Sequence, residues 1–343
     1  MKETVLVTGG TGFLASHIIF QLLQEGHTVK TTVRSLKSQE KILRTMADNG
    51  ITALDQLSFI EADLAKDAGW HEAMADCTYV FSVASPVFFG KVTDEAAVIR
   101  PATEGIIRIL QAAKNSPVKR VVMTSNFGAV GFSNLDKHST TTEADWTDPE
   151  QPGLSIYEKS KLLAEQAAWA FVATEKPAYT FATVNPVAIF GPSLDQHVSG
   201  SFTLIDTLLA GSNKRYPNIP LNIVDVRDVA KIHLLAMFTP EAAGQRFIAS
   251  CDGQISMKEM ASIIQHQRPQ LVSRVTTKEI PQWVIRFGAL FNHQAKEGAL
   301  FLKMNRQISN QKAKAVLGWH PLADNQTALL AAVDSLIAAE DNK

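Results

Sequence analysis

Cysteine is nearly absent. The 343 residues contain two, Cys77 and Cys251, far apart and outside any CxxC or Cys/His spacing. A disulfide framework and a structural zinc site are thereby excluded, and a reducing compartment fits. Net charge is almost absent too: 33 Lys+Arg against 34 Asp+Glu leave −1 at neutral pH. Such a chain lacks the electrostatic footprint of a nucleic-acid or anionic-membrane binder. No apolar run approaches the roughly 20 residues of a membrane span. The first one, residues 4–7, leads straight into glycine and leaves no room for a signal peptide. A cytoplasmic monomer or homodimer, with no nucleic-acid or membrane partner, is expected. The nine histidines are scattered without HExxH or paired spacing, and GxSxG and Walker loops are missing. Metal-assisted, serine-hydrolase and P-loop chemistry therefore have no carrier, and no metal is expected.

What is present is the balance of an ordinary globular protein, with 45% hydrophobic and 20% charged residues. Apolar, β-branched runs at 4–8, 27–33, 57–62, 78–84, 119–125 and 179–185 predict six strands. Between them, segments 12–25, 94–115 and 156–174 repeat apolar residues at three- and four-residue spacing and predict helices. Strands alternating with helices predict an α/β fold built on a parallel sheet. After Asn185 the pattern loosens around Pro186, Pro192, Pro217 and Pro220. The expected organisation is a nucleotide-binding domain over 1–190, with contributions from about 220–250, and a smaller, mainly substrate-binding lobe with C-terminal helices over 191–343.

The first strand runs into Gly9-Gly10-Thr11-Gly12-Phe13-Leu14-Ala15, where a helix starts. A dinucleotide pyrophosphate must approach backbone N–H groups at a helix N-terminus, and only glycine has no Cβ in the way. Gly9 and Gly12 fill the close-approach positions, with Thr11, Phe13 and Leu14 beside them; the plain alternative is an ordinary strand-to-helix turn. Where an NAD enzyme carries an acid for the ribose hydroxyls, the second strand ends in Val33-Arg34-Ser35-Leu36-Lys37. A guanidinium there suits a 2′-phosphate, so NADP(H) is favoured, with Arg34 and Lys37 as candidates. The alternative is that Arg34, Lys37 and Lys41 are solvated surface charges. Asp63 can accept from the adenine amino group or cap a turn. With Leu64, and with Val83, Ala84 and Ser85 at the end of the fourth strand, it completes the candidate cofactor edge.

Tyr157 and Lys161 lie four residues apart at the start of a strongly helical segment and so share a face. A free phenol has a pKa of about 10. A neighbouring ammonium favours the phenolate and brings Tyr157 into range for proton exchange with a carbonyl or alcohol oxygen. Ser125 and Asn126, ending the fifth strand, are candidates for polarising that carbonyl. Asp225 and Asp228 are read as caps or partners of Arg227, and Trp146, Trp169, Trp283 and Trp319 as packing residues.

These residues resemble the extended short-chain dehydrogenase/reductases, especially the branch holding dihydroflavonol 4-reductase and the aldehyde and methylglyoxal reductases. The likeness covers nearly the whole chain. It rests on VTGGTGFLASH from Val7, TTVRS from Thr31, FSVASP from Phe81, VVMTS from Val121, YEKSKLLAEQAAW from Tyr157, VNPVAIFGP from Val184, VDVRDVA from Val224 and LGWHP from Leu317. It implies a Rossmann-type doubly wound sheet, NADPH, Tyr157 as proton donor, Lys161 as its electrostatic and ribose-binding partner, Arg34 at the 2′-phosphate, and Pro186, Val187 and Ile189 around the nicotinamide. In one place the chain departs from the family pattern: the catalytic serine is usually the second of a Ser-Ser pair, and that position is Asn126. The resulting expectation is NADPH-dependent reduction of a small carbonyl substrate in a pocket lined by Phe88, Phe89, Phe127 and Phe202. The competing readings are a nucleotide-sugar epimerase or dehydratase, which Arg34 disfavours, and a non-catalytic NADP(H) sensor.

Overall fold

A computed structural model describes residues 2–86, 95–211, 214–276 and 278–341. The β-branched runs form β1 (Thr4–Val7), β2 (Thr28–Val33), β3 (Leu57–Glu61), β4 (Tyr79–Ser82), β5 (Arg120–Thr124) and β6 (Thr180–Pro186). With a further strand, Arg246–Ala249, they make one sheet in the order Arg246–Ala249, β6, β5, β4, β1, β2, β3, every neighbouring pair parallel. The order reverses between β1 and β4. In doubly wound sheets that reversal opens a crevice at the carboxyl ends of the strands. The seventh strand goes beyond the six expected: four residues following Gly244 are too short to give a periodic signal of their own.

The crossovers carry α1 (Phe13–Gln24), α2 (Gln39–Asp48), α3 (Trp70–Met74), α4 (Glu95–Lys114) and α5 (Ile156–Glu175). Because side chains alternate across a strand, each strand feeds two cores. Val5, Val7, Phe81 and Val122 pack on one side with Ile18, Ile19 and Leu22 of α1. On the other side Leu6, Val80, Val121 and Met123 pack with Trp70, Ile109 and Ala168. Burial on both faces explains why the strands read as continuous apolar runs.

Beyond β6, Phe190, Phe202, Ile264, Leu300, Trp319 and Leu329 extend the α1-side core. The two aspartates of the VDVRDVA run take separate tasks at the helix Val226–Phe238. Asp225 caps the helix, accepting from the Arg227 N–H at 2.8 Å, and pairs with the Arg227 guanidinium. Asp228 accepts from the Trp319 indole at 3.0 Å and the Leu322 N–H at 2.8 Å, which pins the LGWHP turn. The packing role expected of Trp283 is corrected: it is 69% exposed, because the short helix Gln282–Gly288 turns Ile285 inward instead.

Candidate active site

The glycine loop lies at the point of strand-order reversal. Gly9 has φ +74°, and its N–H donates to Thr32 Oγ1 at 3.0 Å. A Cβ on Gly9 would stand 3.0 Å from the Ala84 Cβ, so β4 and the loop meet as closely as the missing side chain allows. Thr8 Oγ1 fastens that contact by accepting from the Val83 and Ala84 N–H groups, both at 2.9 Å. The first turn of α1 carries neither a side-chain cap nor an acid, so no side chain competes for the N–H groups at Phe13 and Leu14. Gly9→Ala is expected to cost about 1–2 kcal/mol from left-handed backbone alone and to weaken dinucleotide binding. Urea unfolding and cofactor titration check the two effects separately.

Just past β2, Ser35 caps a short turn, Leu36–Ser38, and the Leu36 N–H donates to Glu61 Oε1 at 2.8 Å. The turn is thus tied to the end of β3. Arg34 and Lys37 are left exposed, and Arg34 makes no hydrogen bond or ion pair among the described residues. Lys41 differs, being paired with Asp195 at 2.8 Å. Asp63 takes the capping role, Oδ1 accepting from the Ala65 N–H at 2.9 Å. Leu64, Ala84, Ser85, Thr124 and Lys161 line one small pocket between the ends of β4 and β5 and the helix α5.

Ser155 starts α5 by accepting from the Glu158 N–H at 3.2 Å, which places Tyr157 in the first turn and Lys161 one turn later. Tyr157 is 50% exposed, and its hydroxyl has no hydrogen-bond partner among the described residues. The downward shift expected from Lys161 is corrected: desolvation by burial, then the Glu158 carboxylate, push that hydroxyl up to about 12. Water at the open half of the ring moderates the rise. Glu158 is itself pushed up to about 7, chiefly by burial, with Glu297 acting the same way. Lys161 is buried, donates to the Thr124 carbonyl at 3.4 Å, and is pushed down to about 8 by burial against the opposing pull of Glu165.

One further turn along the same stripe is Glu165, fully buried, which sequence reasoning missed. Its Oε1 accepts from Arg246 Nε at 2.8 Å, Thr183 Oγ1 at 3.0 Å and Trp169 Nε1 at 3.2 Å. Its Oε2 accepts from Ser125 Oγ at 2.5 Å and Asn185 Nδ2 at 2.7 Å. The available signal was an acid at four-residue intervals from Tyr157 and Lys161 on a helix face that packs inward. Arg246 also stacks over Trp146, 3.6 Å from the ring centre. Of the two candidate polarising residues, Ser125 is buried and bound to Glu165, whereas Asn126 is half-buried. Asn126 Oδ1 accepts from the Ala129 N–H at 3.1 Å, and its main-chain carbonyl accepts from Asn185 Nδ2 at 3.2 Å.

The phenylalanines are placed differently from expectation. Phe127 is 4% exposed and packs against Phe132, ring centres 6.2 Å apart. Phe202 is 1% exposed and sits edge-on to Phe13 and Phe190. Both rings fill the core rather than presenting an open apolar wall, because the chain after β5 and after Phe190 folds back onto the sheet. Phe88 and Phe89 lie outside the described residues. Pro186 ends β6, the Val187 N–H donates to the Ala249 carbonyl at 3.1 Å, and Ile189 lies half-buried in the strand Ala188–Phe190. Among the described residues no three His, Cys, Asp or Glu side chains converge as a metal site, and no helix is long and apolar enough to cross a membrane.

Comparison with known proteins adds relatives to this geometry. Residues 5–249 match the model of the NAD dependent epimerase/dehydratase family. An anthocyanidin reductase of Vitis vinifera is 33% identical over 284 residues, covering 78% of this chain and 82% of that one. A putative NADPH-dependent methylglyoxal reductase, GRP2, of Candida albicans is 31% identical over 338 residues, covering 92% and 99%. Among solved structures, yeast methylglyoxal/isovaleraldehyde reductase Gre2 complexed with NADPH superposes with a TM-score of 0.82 at 27% identity, covering 99% of this chain and 100% of that one.

Proposed function

The chain belongs to the NAD dependent epimerase/dehydratase family, and from that premise we propose that it reduces an aldehyde or ketone to the alcohol with NADPH, Tyr157 giving the proton and Lys161 assisting. It is an NAD(P)-dependent oxidoreductase, as its reductase relatives are. The observation that supports the proposal is Lys161, one turn after Tyr157 on α5, donating to the Thr124 carbonyl and lining a pocket with Ala84, the residue that a Cβ on Gly9 would meet.

The residues present fit a 2′-phosphorylated dinucleotide. The loop offers bare backbone where a Cβ on Gly9 would crowd Ala84, and Arg34 is a guanidinium with no competing acid bound to it. NADPH, when bound, supplies the hydride that reaches the carbonyl carbon. Tyr157 supplies the proton for the oxygen; its upward-shifted hydroxyl keeps that proton available at neutral pH. Lys161, still mostly cationic at neutral pH, stabilises the phenolate that remains.

A panel of aldehydes, 1,2-diketones and sugar nucleotides, followed by absorbance with NADPH and NADH in parallel, tests this reading. Stoichiometric NADPH oxidation by a small carbonyl is the expected result. Turnover of a sugar nucleotide without net cofactor consumption would place the chain among the epimerases of its family instead. Arg34→Ala is expected to raise the KM for NADPH about ten- to hundredfold, the worth of charge-assisted hydrogen bonds, while leaving that for NADH nearly unchanged. An equal rise for both cofactors would remove Arg34 from the 2′-phosphate.

A further inference from the structure

We propose that the group polarising the substrate carbonyl is the side-chain amide of Asn126, and that Glu165 makes it so by withdrawing Ser125 from the cleft. This rests on the reductase reading above. Three polar residues, Thr124, Ser125 and Asn126, follow one another at the end of β5, and the side chains of two are already committed. Thr124 Oγ1 is bonded to His233 Nε2 at 2.7 Å in the core, and the Thr124 carbonyl receives Lys161. Ser125 donates its one hydroxyl proton to Glu165 Oε2 at 2.5 Å and is only 2% exposed, so it has no proton to offer a substrate oxygen.

Asn126 is arranged the opposite way. Its Oδ1 must be the atom facing the Ala129 N–H, because only the oxygen can accept; the NH2 group therefore points the other way. Among the described residues that NH2 group has no partner. Asn185 Nδ2 bridges Glu165 and the Asn126 carbonyl, so the carboxylate that removes Ser125 also holds the main chain of its neighbour. The oxygen end of the amide lies near the first turn of α5: a Cβ on Gly128 would lie 3.1 Å from Asn126 Oδ1 and 2.9 Å from the Cβ of Glu158, the residue after Tyr157. Glu165 is thus a positioning residue.

In the reaction the hydride arrives at the carbonyl carbon with its electron pair, the π pair moves to oxygen, and oxygen takes the Tyr157 proton as NADPH becomes NADP⁺. Asn126 donates a hydrogen bond to that oxygen throughout and transfers no proton. Because an amide does not titrate in the working range, its contribution is the same at every pH assayed.

The test compares Asn126→Asp, Asn126→Ser, Ser125→Ala and Tyr157→Phe, assayed for NADPH oxidation with methylglyoxal and with benzaldehyde, alongside NADPH affinity and melting temperature. Asn126→Asp keeps the acceptor for Ala129 and loses the donor; kcat is expected to fall about 10²-fold, as for other oxyanion donors, with NADPH affinity retained. Asn126→Ser restores a donor and is expected to recover activity to within about tenfold of wild type. Ser125→Ala is expected to melt earlier yet keep about a tenth or more of its kcat. If Asn126→Asp does not fold, Asn126→Ala takes its place. A hundredfold loss in Ser125→Ala with none at position 126 would overturn the assignment. Full activity in Tyr157→Phe would instead overturn the reductase mechanism itself, so the two failures are distinguishable.

Discussion

Tyr157→Phe is expected to lower kcat for carbonyl reduction by about 10²–10⁴-fold, the usual worth of a positioned acid, with melting temperature and NADPH affinity close to wild type. The separation of effects follows from the position of the hydroxyl. The residue is half exposed and its hydroxyl bonds to no other described group, so removing it orphans no buried donor and creates no core cavity. The ring remains to hold the start of α5. A comparable loss of stability would mean that the hydroxyl is structural.

The pH dependence has a defined sign. Burial pushes Lys161 down to about 8, and the mechanism needs its cationic form. The kcat/KM for reduction, which reports groups of the free enzyme, is therefore expected to be level below that value and to decline as pH rises through it. A profile still level near pH 10, where an unperturbed lysine titrates, would show that the Lys161 charge is unnecessary or its environment different. For stability the same shift acts the other way. A lysine whose folded pKa is below its unfolded value of about 10.4 penalises the folded state where it must be charged, and that penalty eases as pH rises from about 8.

Glu165→Leu is expected to destabilise the protein by about 3–5 kcal/mol, the cost of removing one member of a buried ion pair. The leucine has similar bulk but leaves Arg246, 7% exposed, without its carboxylate, and strands the donors of Ser125, Trp169, Thr183 and Asn185. Urea unfolding measures the loss. Removing Arg246 as well should recover part of it, because the uncompensated charge is then gone; a double-mutant cycle reads that coupling. A loss below about 1 kcal/mol, the level of an exposed pair, would mean that water reaches the site and that the network does not hold Asn126.

How much of this was legible in the sequence depended on the range of the contacts. Six of the seven sheet strands were readable because burial on both faces makes each a run of apolar, β-branched residues. The seventh, Arg246–Ala249, is four residues long and acquires its identity only by pairing with β6. Asp63 is readable as an adenine acceptor and as a cap, two compatible roles, and its hydrogen bond from Ala65 supplies the cap. Lys41 looked equivalent to Arg34 until Asp195, more than 150 positions away, proved to be its partner. Aromatic residues near strand ends suit a substrate pocket, yet the rings of Phe127 and Phe202 pack against Phe132, Phe13 and Phe190 in the core.

The same division runs through the catalytic set. As candidates, the Gly9–Gly12 loop, Arg34 and the four-residue step from Tyr157 to Lys161 are legible in the sequence alone, since a tight turn, a charge at a strand tip and a shared helix face are properties of local spacing. Which residue beside them has a hydrogen-bond donor to spare was decided only by the tertiary structure. Ser125 and Asn126 are adjacent and both carry hydrogen-bond donors; a local bond from the Ala129 N–H orients the Asn126 amide, but nothing local commits the Ser125 hydroxyl. Their difference arises where Glu165, Asn185 and Arg246 converge from 40 to more than 100 residues away: a buried carboxylate must be surrounded by donors, and Ser125 is one of those it took.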